Sequence, residues 1–237
     1  MSENSPRIVP IIETVGTMKI DRNGKARVLE LEDIQLLFNE GLQTKRDRAL
    51  FGVCLYTACR INEACTLGIT DAYETRKKIR QEITFRKANT KGKLNTRAVP
   101  IIEELRILLL DYYPNPRGWF VFPSARGSGH IRPDSASRIL REACQRINLR
   151  GVSTHSFRRT ALTQMSNNLV PLRVIQEISG HKSLEQLQRY LEVKPEQILG
   201  AVSGLSVLSH VKKSLYLDSS DYNSSTPLKG CNSSLKE

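Results

Sequence analysis

The sequence predicts a mainly α-helical domain carrying a small three-stranded antiparallel β-sheet. Three observations lead there. Apolar residues recur with a helical period from Leu29 onward, the period switches to short alternating runs between about residues 68 and 101, and helical spacing returns after Pro100 and continues to about residue 192.

The elements follow in order. Residues 1–27 hold short apolar pieces (Ile8-Val9-Pro10-Ile11-Ile12) and an Asn23-Gly24 turn with no sustained period, and read as a leader or linker. Leu31, Ile34, Leu36, Leu37 and Phe38 predict a first helix ending near Gly41. Residues 46–57 predict a second, mostly apolar helix, and Arg60–Leu67 a short one or its continuation. Gly68–Tyr73, Gln81–Arg86 and Asn95–Ile101 are the three expected strands, the last two joined by a loop through Asn89-Thr90-Lys91-Gly92-Lys93. Leu105, Leu108 and Leu109 bring back the helical period. Trp119-Phe120-Val121-Phe122 is a short apolar run before a Gly/Ser loop. Helices are expected at about 134–147, 155–167, 171–179 and 184–192, with Thr154 capping the second and Ser183 with Gln186 fitting a capping box for the last. Leu184, Leu187 and Leu191 lie on one face of that last helix and read as core. Val202, Leu205, Val207, Leu208 and Val211 predict a terminal helix, and the Ser/Asn-rich chain beyond Leu217 reads as disordered.

Charge narrows the function. The 237 residues carry a net charge of +12, which favours a polyanionic partner, nucleic acid first. Residues 197–237 nearly balance Lys212, Lys213, Lys229 and Lys236 against Asp218, Asp221 and Glu237, so the surplus belongs to the preceding body and is not a basic arm. Five cysteines without a CxxC pair argue against a disulfide framework or structural zinc, and Cys54 and Cys59 in an apolar stretch read as buried thiols. The chain has neither a signal pattern nor an apolar run of roughly 18–20 residues, so a cytoplasmic setting away from membranes is expected.

Four separated pieces carry the chemistry: Arg60-Ile-Asn-Glu63, Lys91, His155-Ser-Phe-Arg158, and Gly180-His181 with Tyr190 nine residues on. Arg60 and Glu63, and likewise His155 and Arg158, are three apart and share a helix face, so Glu63 can hold Arg60 in position. Gly180 can end one helix and set His181 at the N-terminus of the next. Phosphoryl transfer builds negative charge on oxygen, which guanidinium groups match because they stay charged and bind two oxygens at once. A tyrosine phenol, with a pKa near 10, needs a base or a positive field to attack at neutral pH, and the departing alkoxide needs a proton. These side chains supply every one of those roles without a metal or other cofactor.

In order and approximate spacing, Thr57-Ala-Cys-Arg60-Ile-Asn-Glu63, Thr90-Lys91-Gly-Lys93, His155-Ser-Phe-Arg158, Ser179-Gly-His181 and Gln188-Arg-Tyr190 resemble the motifs of the tyrosine recombinase (phage integrase) family over roughly residues 28–195. The resemblance implies a tyrosine recombinase catalytic-domain fold and a site-specific recombinase or integrase that cleaves and rejoins DNA through a 3′-phosphotyrosine. It implies Tyr190 as nucleophile, Arg60 and Arg158 bracing the scissile phosphate, and His155 as general base or phosphate orienter. His181 would donate to a phosphate oxygen, and Lys91 would protonate the leaving 5′-oxygen, with Lys93 as the alternative. Departures are Ala58 for the usual glycine, Phe157 for the usual leucine and Ser179 for the usual leucine, which touch local packing rather than any reactive group. The expected partners are double-stranded DNA and further copies of the chain in a tetrameric synapse, with the Val202–Val211 segment docking on a neighbour.

The expected organisation is a leader over 1–27, a catalytic domain over 28–196 and a tail over 197–237. Family members usually carry a helical DNA-clamping domain ahead of the catalytic one, and 27 residues are too few for it, which implies a fragment or a short form that leans on partners. A non-catalytic DNA-binding relative and a type IB topoisomerase are the competing readings. Arg159, Arg132, Arg138, Arg141 and the turn Arg76, Lys77, Lys78 and Arg80 are either solvated or phosphate contacts.

Overall fold

The computed structural model describes residues 26–75, 78–86, 96–114, 118–125, 129–188 and 195–208. They fall in two compact units divided after Glu192. In the larger unit, α1 (Leu31–Leu36) continues as a π-helical turn, Leu37–Gly41. It ends where the sequence predicts, at a glycine whose Cβ would sit 3.2 Å from the Ala143 carbonyl. The helix α2 (Lys45–Tyr56) starts on Thr44, whose hydroxyl accepts from the Asp47 N–H at 3.1 Å. Its apolar residues are buried all round, because it packs between α5 (Glu103–Asp111) and α7 (Thr154–Asn167). The centre of that packing is Phe51 stacked on Phe157, ring centroids 5.1 Å apart, with Phe38 edge-on to Phe157.

The strand region departs from expectation. Residues expected as the first strand coil instead into a short helix, α4 (Ile69–Ala72), after α3 (Ile61–Cys65), so only Tyr73–Thr75 remain extended as β1. That strand pairs with β2 (Lys78–Ile79) across an irregular register. The chain then turns at Arg80–Gln81, where the Arg80 N–H bonds back to the Ala72 carbonyl, before β3 (Glu82–Phe85) and β4 (Arg97–Pro100) pair. Instead of one three-stranded sheet, the described residues form two two-stranded antiparallel ladders. In the second, Phe85 faces Arg97 and Ile83 faces Val99.

The helix α6 (Pro133–Arg146) begins with proline in its first turn. At the start of α7, Ser153 is the cap position rather than Thr154, and the Ser156 hydroxyl accepts from the Ser153 N–H at 3.0 Å. The helix α8 (Leu172–Ser179) stops at Gly180, whose φ of +64° is left-handed. In α9 (Leu184–Gln188) the Ser183 hydroxyl accepts from the Gln186 N–H at 3.3 Å, the N-cap half of the expected box. Leu187 is buried, in a small cluster with Ala58, Leu162 and Ile175, whereas Leu184 is exposed and Leu191 lies outside the described residues. Leu184 is therefore not core: it is the first residue of the helix, one turn before Leu187.

The four described cysteines, Cys54, Cys59, Cys65 and Cys144, are buried free thiols. Burial pushes Cys65 up to about 12 and Cys144 up to about 11. Among the described residues no helix is long and apolar enough to cross a membrane. In the second unit, α10 (Pro195–Ser203) and a 3-10 turn (Gly204–Leu208) begin earlier than the expected terminal helix and leave Ile198, Leu199, Val202 and Leu205 exposed. Val211 and the Ser/Asn-rich end lie outside the described residues.

Candidate active site

Arg60 stands at the start of α3, where the chain leaves α2 through Ala58 in a left-handed conformation, φ +50°. Glu63, one turn on and 1% exposed, accepts the Arg60 backbone N–H at 2.9 Å and the Arg60 guanidinium at 3.3 Å. Glu63 thus caps the helix and orients the arginine at once, as its spacing suggests.

A residue that the sequence reading passed over completes this carboxylate. Arg97, from β4, grips Glu63 with both terminal nitrogens at 2.8 and 3.3 Å and donates its Nε to the Ile178 carbonyl at 3.0 Å. Its guanidinium lies over the Phe85 ring, 4.5 Å from the centroid. The signal was present: Arg97 is two residues from buried Val99, so strand alternation points it inward, where a charge needs a partner. Gly180 answers it from the other side, since a Cβ there would come within 3.1 Å of the Arg97 guanidinium.

Arg158 arrives from the first turns of α7, next to the Phe157 that anchors that helix in the core. It is 2% exposed. One terminal nitrogen donates to the carbonyls of Ala58 (2.5 Å) and Ser179 (2.9 Å). The other lies 3.0 Å from His181 Nε2 and 3.2 Å from Nδ1. Burial and then the nearby Arg60 charge pull Arg158 down to about 10, which still leaves it charged at pH 7.

His181 lies in the connector between α8 and α9, not on the N-terminal turn of α9, because Ser183 is the cap and stands two residues further on. Ser179 Oγ is 2.8 Å from its Nδ1, and the Gln176 amide donates to its carbonyl at 3.1 Å. Burial first, and then the charges of Arg158, Arg60 and Arg97, drive His181 down to about 3, so its imidazole is neutral at pH 7. Burial alone would raise Glu63, but the hydrogen bonds and charge of Arg97, then those of Arg60, hold it below the usual carboxylate range.

The structure therefore brings Arg60, Arg158 and His181 together. His155 sits on α7 one turn before Arg158 and is exposed. Lys91, Lys93 and Tyr190 lie outside the described residues. Of the other basic residues, Arg159 donates to the Ala26 carbonyl at 3.1 Å, Lys78 pairs with Glu74 at 2.6 Å, and Arg80 donates to the Thr70 carbonyl at 2.7 Å. Arg138 lies 3.9 Å from Glu142 on an exposed face. Arg76 and Lys77 are outside the described residues.

Among the described residues, the guanidinium groups of Arg60 and Arg97 hold one carboxylate, and that of Arg158 lies near them against a neutral imidazole. Such a set of fixed donors has the chemistry to hold an anion with several oxygens and to match the additional charge that a phosphoryl group gains as it is attacked.

Residues 27–197 match the phage integrase family. The chain is 29% identical over 171 residues to a tyrosine recombinase of Thermosipho africanus, covering 71% of this chain and 56% of that protein. Against the tyrosine recombinase XerD of Chlamydia muridarum it is 29% identical, covering 73% of this chain and 59% of that protein. The chain thus spans a little over half the length of these relatives. The crystal structure of XerA recombinase superposes with a TM-score of 0.62 at 22% identity, over 75% of this chain and 64% of that one. The catalytic domain of bacteriophage HP1 integrase superposes with a TM-score of 0.54 at 24% identity, over 79% of this chain and 100% of that one. At these identities the superpositions establish the fold.

Proposed function

The chain belongs to the phage integrase family, and from that premise we propose that it is a site-specific tyrosine recombinase or integrase acting on double-stranded DNA. The observation that carries the reading is the cluster of Arg60, Arg97 and Arg158 around Glu63 and neutral His181. Positive charge fixed in place before the reaction, at a site partly removed from water, stabilises a pentacoordinate phosphate without reorganising as the charge develops.

In this reading the Tyr190 oxygen attacks a backbone phosphorus, its proton passing to His155. The bond from phosphorus to the 5′-oxygen breaks, and that oxygen takes a proton from Lys91, or from Lys93 in the same loop. Arg60 and Arg158 hold the non-bridging oxygens and His181 donates a hydrogen bond to one of them. The product is a 3′-phosphotyrosine, and attack by a 5′-hydroxyl reverses the steps, so rejoining needs neither metal nor nucleotide. Related chains support DNA as the partner: the Tn1549 transposon integrase is seen with transposon right-end DNA, and XerH with its difH substrate. Residues 28–196 form the catalytic unit, four copies assemble on DNA with the Val202–Val211 segment against a neighbour, and the reaction takes place in the cytoplasm.

The test is covalent capture. A pool of duplexes with randomised sequence and a nick placed to let the cleaved end diffuse away is incubated with the chain, and DNA that survives denaturing extraction on protein is sequenced. Capture that disappears in Tyr190→Phe while duplex binding persists is the expected result. Binding without capture by the unaltered chain would make it a non-catalytic DNA-binding relative, and relaxation of supercoils without strand exchange would make it a topoisomerase.

A further inference from the structure

The family pattern places an apolar leucine where this chain has Ser179, and the structure gives the serine a task that leucine cannot perform. Gly180, left-handed at φ +64°, folds the chain back so that the side chains on either side of it meet. Ser179 is fully buried, with its Oγ 2.8 Å from His181 Nδ1 and 3.4 Å from the Gln176 carbonyl, to which it donates. Its own carbonyl takes a hydrogen bond from Arg158 at 2.9 Å, so the residue touches both partners of the phosphate pocket.

We propose that Ser179 is a positioning residue that sets which ring nitrogen of His181 carries the proton. This rests on the recombinase reading for its consequence, though not for its geometry. A neutral imidazole has a single N–H, and the hydrogen bond made at one nitrogen decides the role of the other. As the structure stands, one Arg158 nitrogen lies 3.0 Å from Nε2 and 3.2 Å from Nδ1 and so does not choose between them, whereas Ser179 Oγ, its proton given to the Gln176 carbonyl, accepts at 2.8 Å and places the ring proton on Nδ1. To serve a phosphate oxygen from Nε2, the ring must hold its proton there and accept at Nδ1. A hydroxyl both donates and accepts, so Ser179 selects that second state by turning its proton from the Gln176 carbonyl to Nδ1. The ring loses the Nδ1 proton to water and gains one from water at Nε2, with no net change in charge. Neutrality makes the choice necessary: with its pKa near 3, His181 cannot present both N–H groups at pH 7.

The test reads the ring directly. In the full chain labelled with nitrogen-15, the His181 ring signals are assigned by their absence in His181→Asn, and the tautomer is read in unaltered protein and in Ser179→Ala. The unaltered protein is expected to show a protonated Nδ1, and Ser179→Ala a mixture of both tautomers. On a captured nicked duplex, Ser179→Ala is expected to slow covalent attachment at least tenfold with duplex binding unchanged. It is expected to slow it no further in a His181→Asn background, since the two side chains act through one hydrogen bond. An unchanged ring spectrum, an unchanged rate in Ser179→Ala, or an equal loss with and without His181 overturns the proposal. If the unaltered chain attaches to no duplex, the recombinase reading fails, and the ring spectrum still decides the role of Ser179.

Discussion

Phe157 and Arg158 are neighbours on one turn of α7, yet they serve two regions governed by different physics. Phe157 enters an apolar core against Phe51 and Phe38, where what matters is volume and shape. Arg158 enters a polar pocket where each atom has a specific partner: two carbonyls, an imidazole, and beyond them Arg60, Arg97 and Glu63. The core contributes stability through area removed from water and tolerates substitutions that conserve volume. The pocket holds like charges close together, which opposes folding, and keeps them because a carboxylate and fixed carbonyls hold each one in place.

Truncating the core side gives the largest expected effect. Phe157→Ala should lower unfolding free energy by about 3–5 kcal/mol in urea denaturation. Phe157→Leu, which restores the family's usual residue, should cost much less, because the branched chain refills most of the space beside Phe51. A Phe157→Leu loss as large as that of Phe157→Ala would mean that ring stacking, not volume, sets this region.

On the pocket side, Arg158→Lys keeps the charge and loses the planar fork that reaches Ala58, Ser179 and His181 at once. The rate of covalent attachment should fall about 100- to 1000-fold, the scale seen when one oxyanion donor is removed. Thermal unfolding should fall far less in proportion. Arg97→Lys tests whether Glu63 needs the bidentate grip, and a smaller loss of rate is expected because Arg97 acts through Glu63 and Arg60.

Much of this division was legible in the sequence, and what escaped did so for identifiable reasons. Helices α2, α6, α7 and α8 follow directly from apolar period and from Gly180, and the β3–β4 hairpin from alternation. Among the described residues two two-stranded ladders stand in place of the expected three-stranded sheet, because Gly68–Tyr73 is too short a run for alternation to be told from a single helical turn, and the Arg80 N–H bonds back to the Ala72 carbonyl. Arg60, Glu63, Arg158 and His181 could be found by spacing, since each lies within a local motif. Alternation with Val99 turns Arg97 inward, but it lies in no local motif, and its partners Glu63 and Ile178 are distant in sequence and meet it only in the fold. In the sequence Ser179 reads as a change of packing, because a motif names a residue type, whereas its contacts depend on the backbone turn at Gly180.

The pocket should also reveal itself through pH. The folded pKa of His181 is near 3, below its ordinary value of about 6.5, so the unfolded chain binds the extra proton between those values. Stability is therefore expected to fall as pH drops from about 6.5 towards 3. Glu63, also depressed in the fold, adds a further loss as pH falls below the ordinary glutamate value of about 4.3. Unfolding midpoints measured from pH 7 to 4 should flatten in His181→Asn, and an unchanged slope would contradict the buried neutral ring.

The smallest expected effect is at the junction of the two regions. Ala58 holds φ +50°, which costs about 1–2 kcal/mol for a residue with a side chain and accounts for glycine in the family pattern. Ala58→Gly relieves that strain but loses a buried methyl, about 0.8 kcal/mol, and adds freedom to the unfolded chain. The net change in calorimetry should stay within about 1 kcal/mol, with attachment to DNA unaffected.

The central claim is that Tyr190 is the nucleophile served by this pocket. Peptide mapping by mass spectrometry of the adduct trapped on a nicked duplex tests it most directly. The account predicts a nucleotide-bearing peptide containing Tyr190, formed by the unaltered chain and nearly absent from Arg158→Lys protein that still binds duplex. An adduct carried on another residue, or one formed equally well without the Arg158 guanidinium, would contradict it.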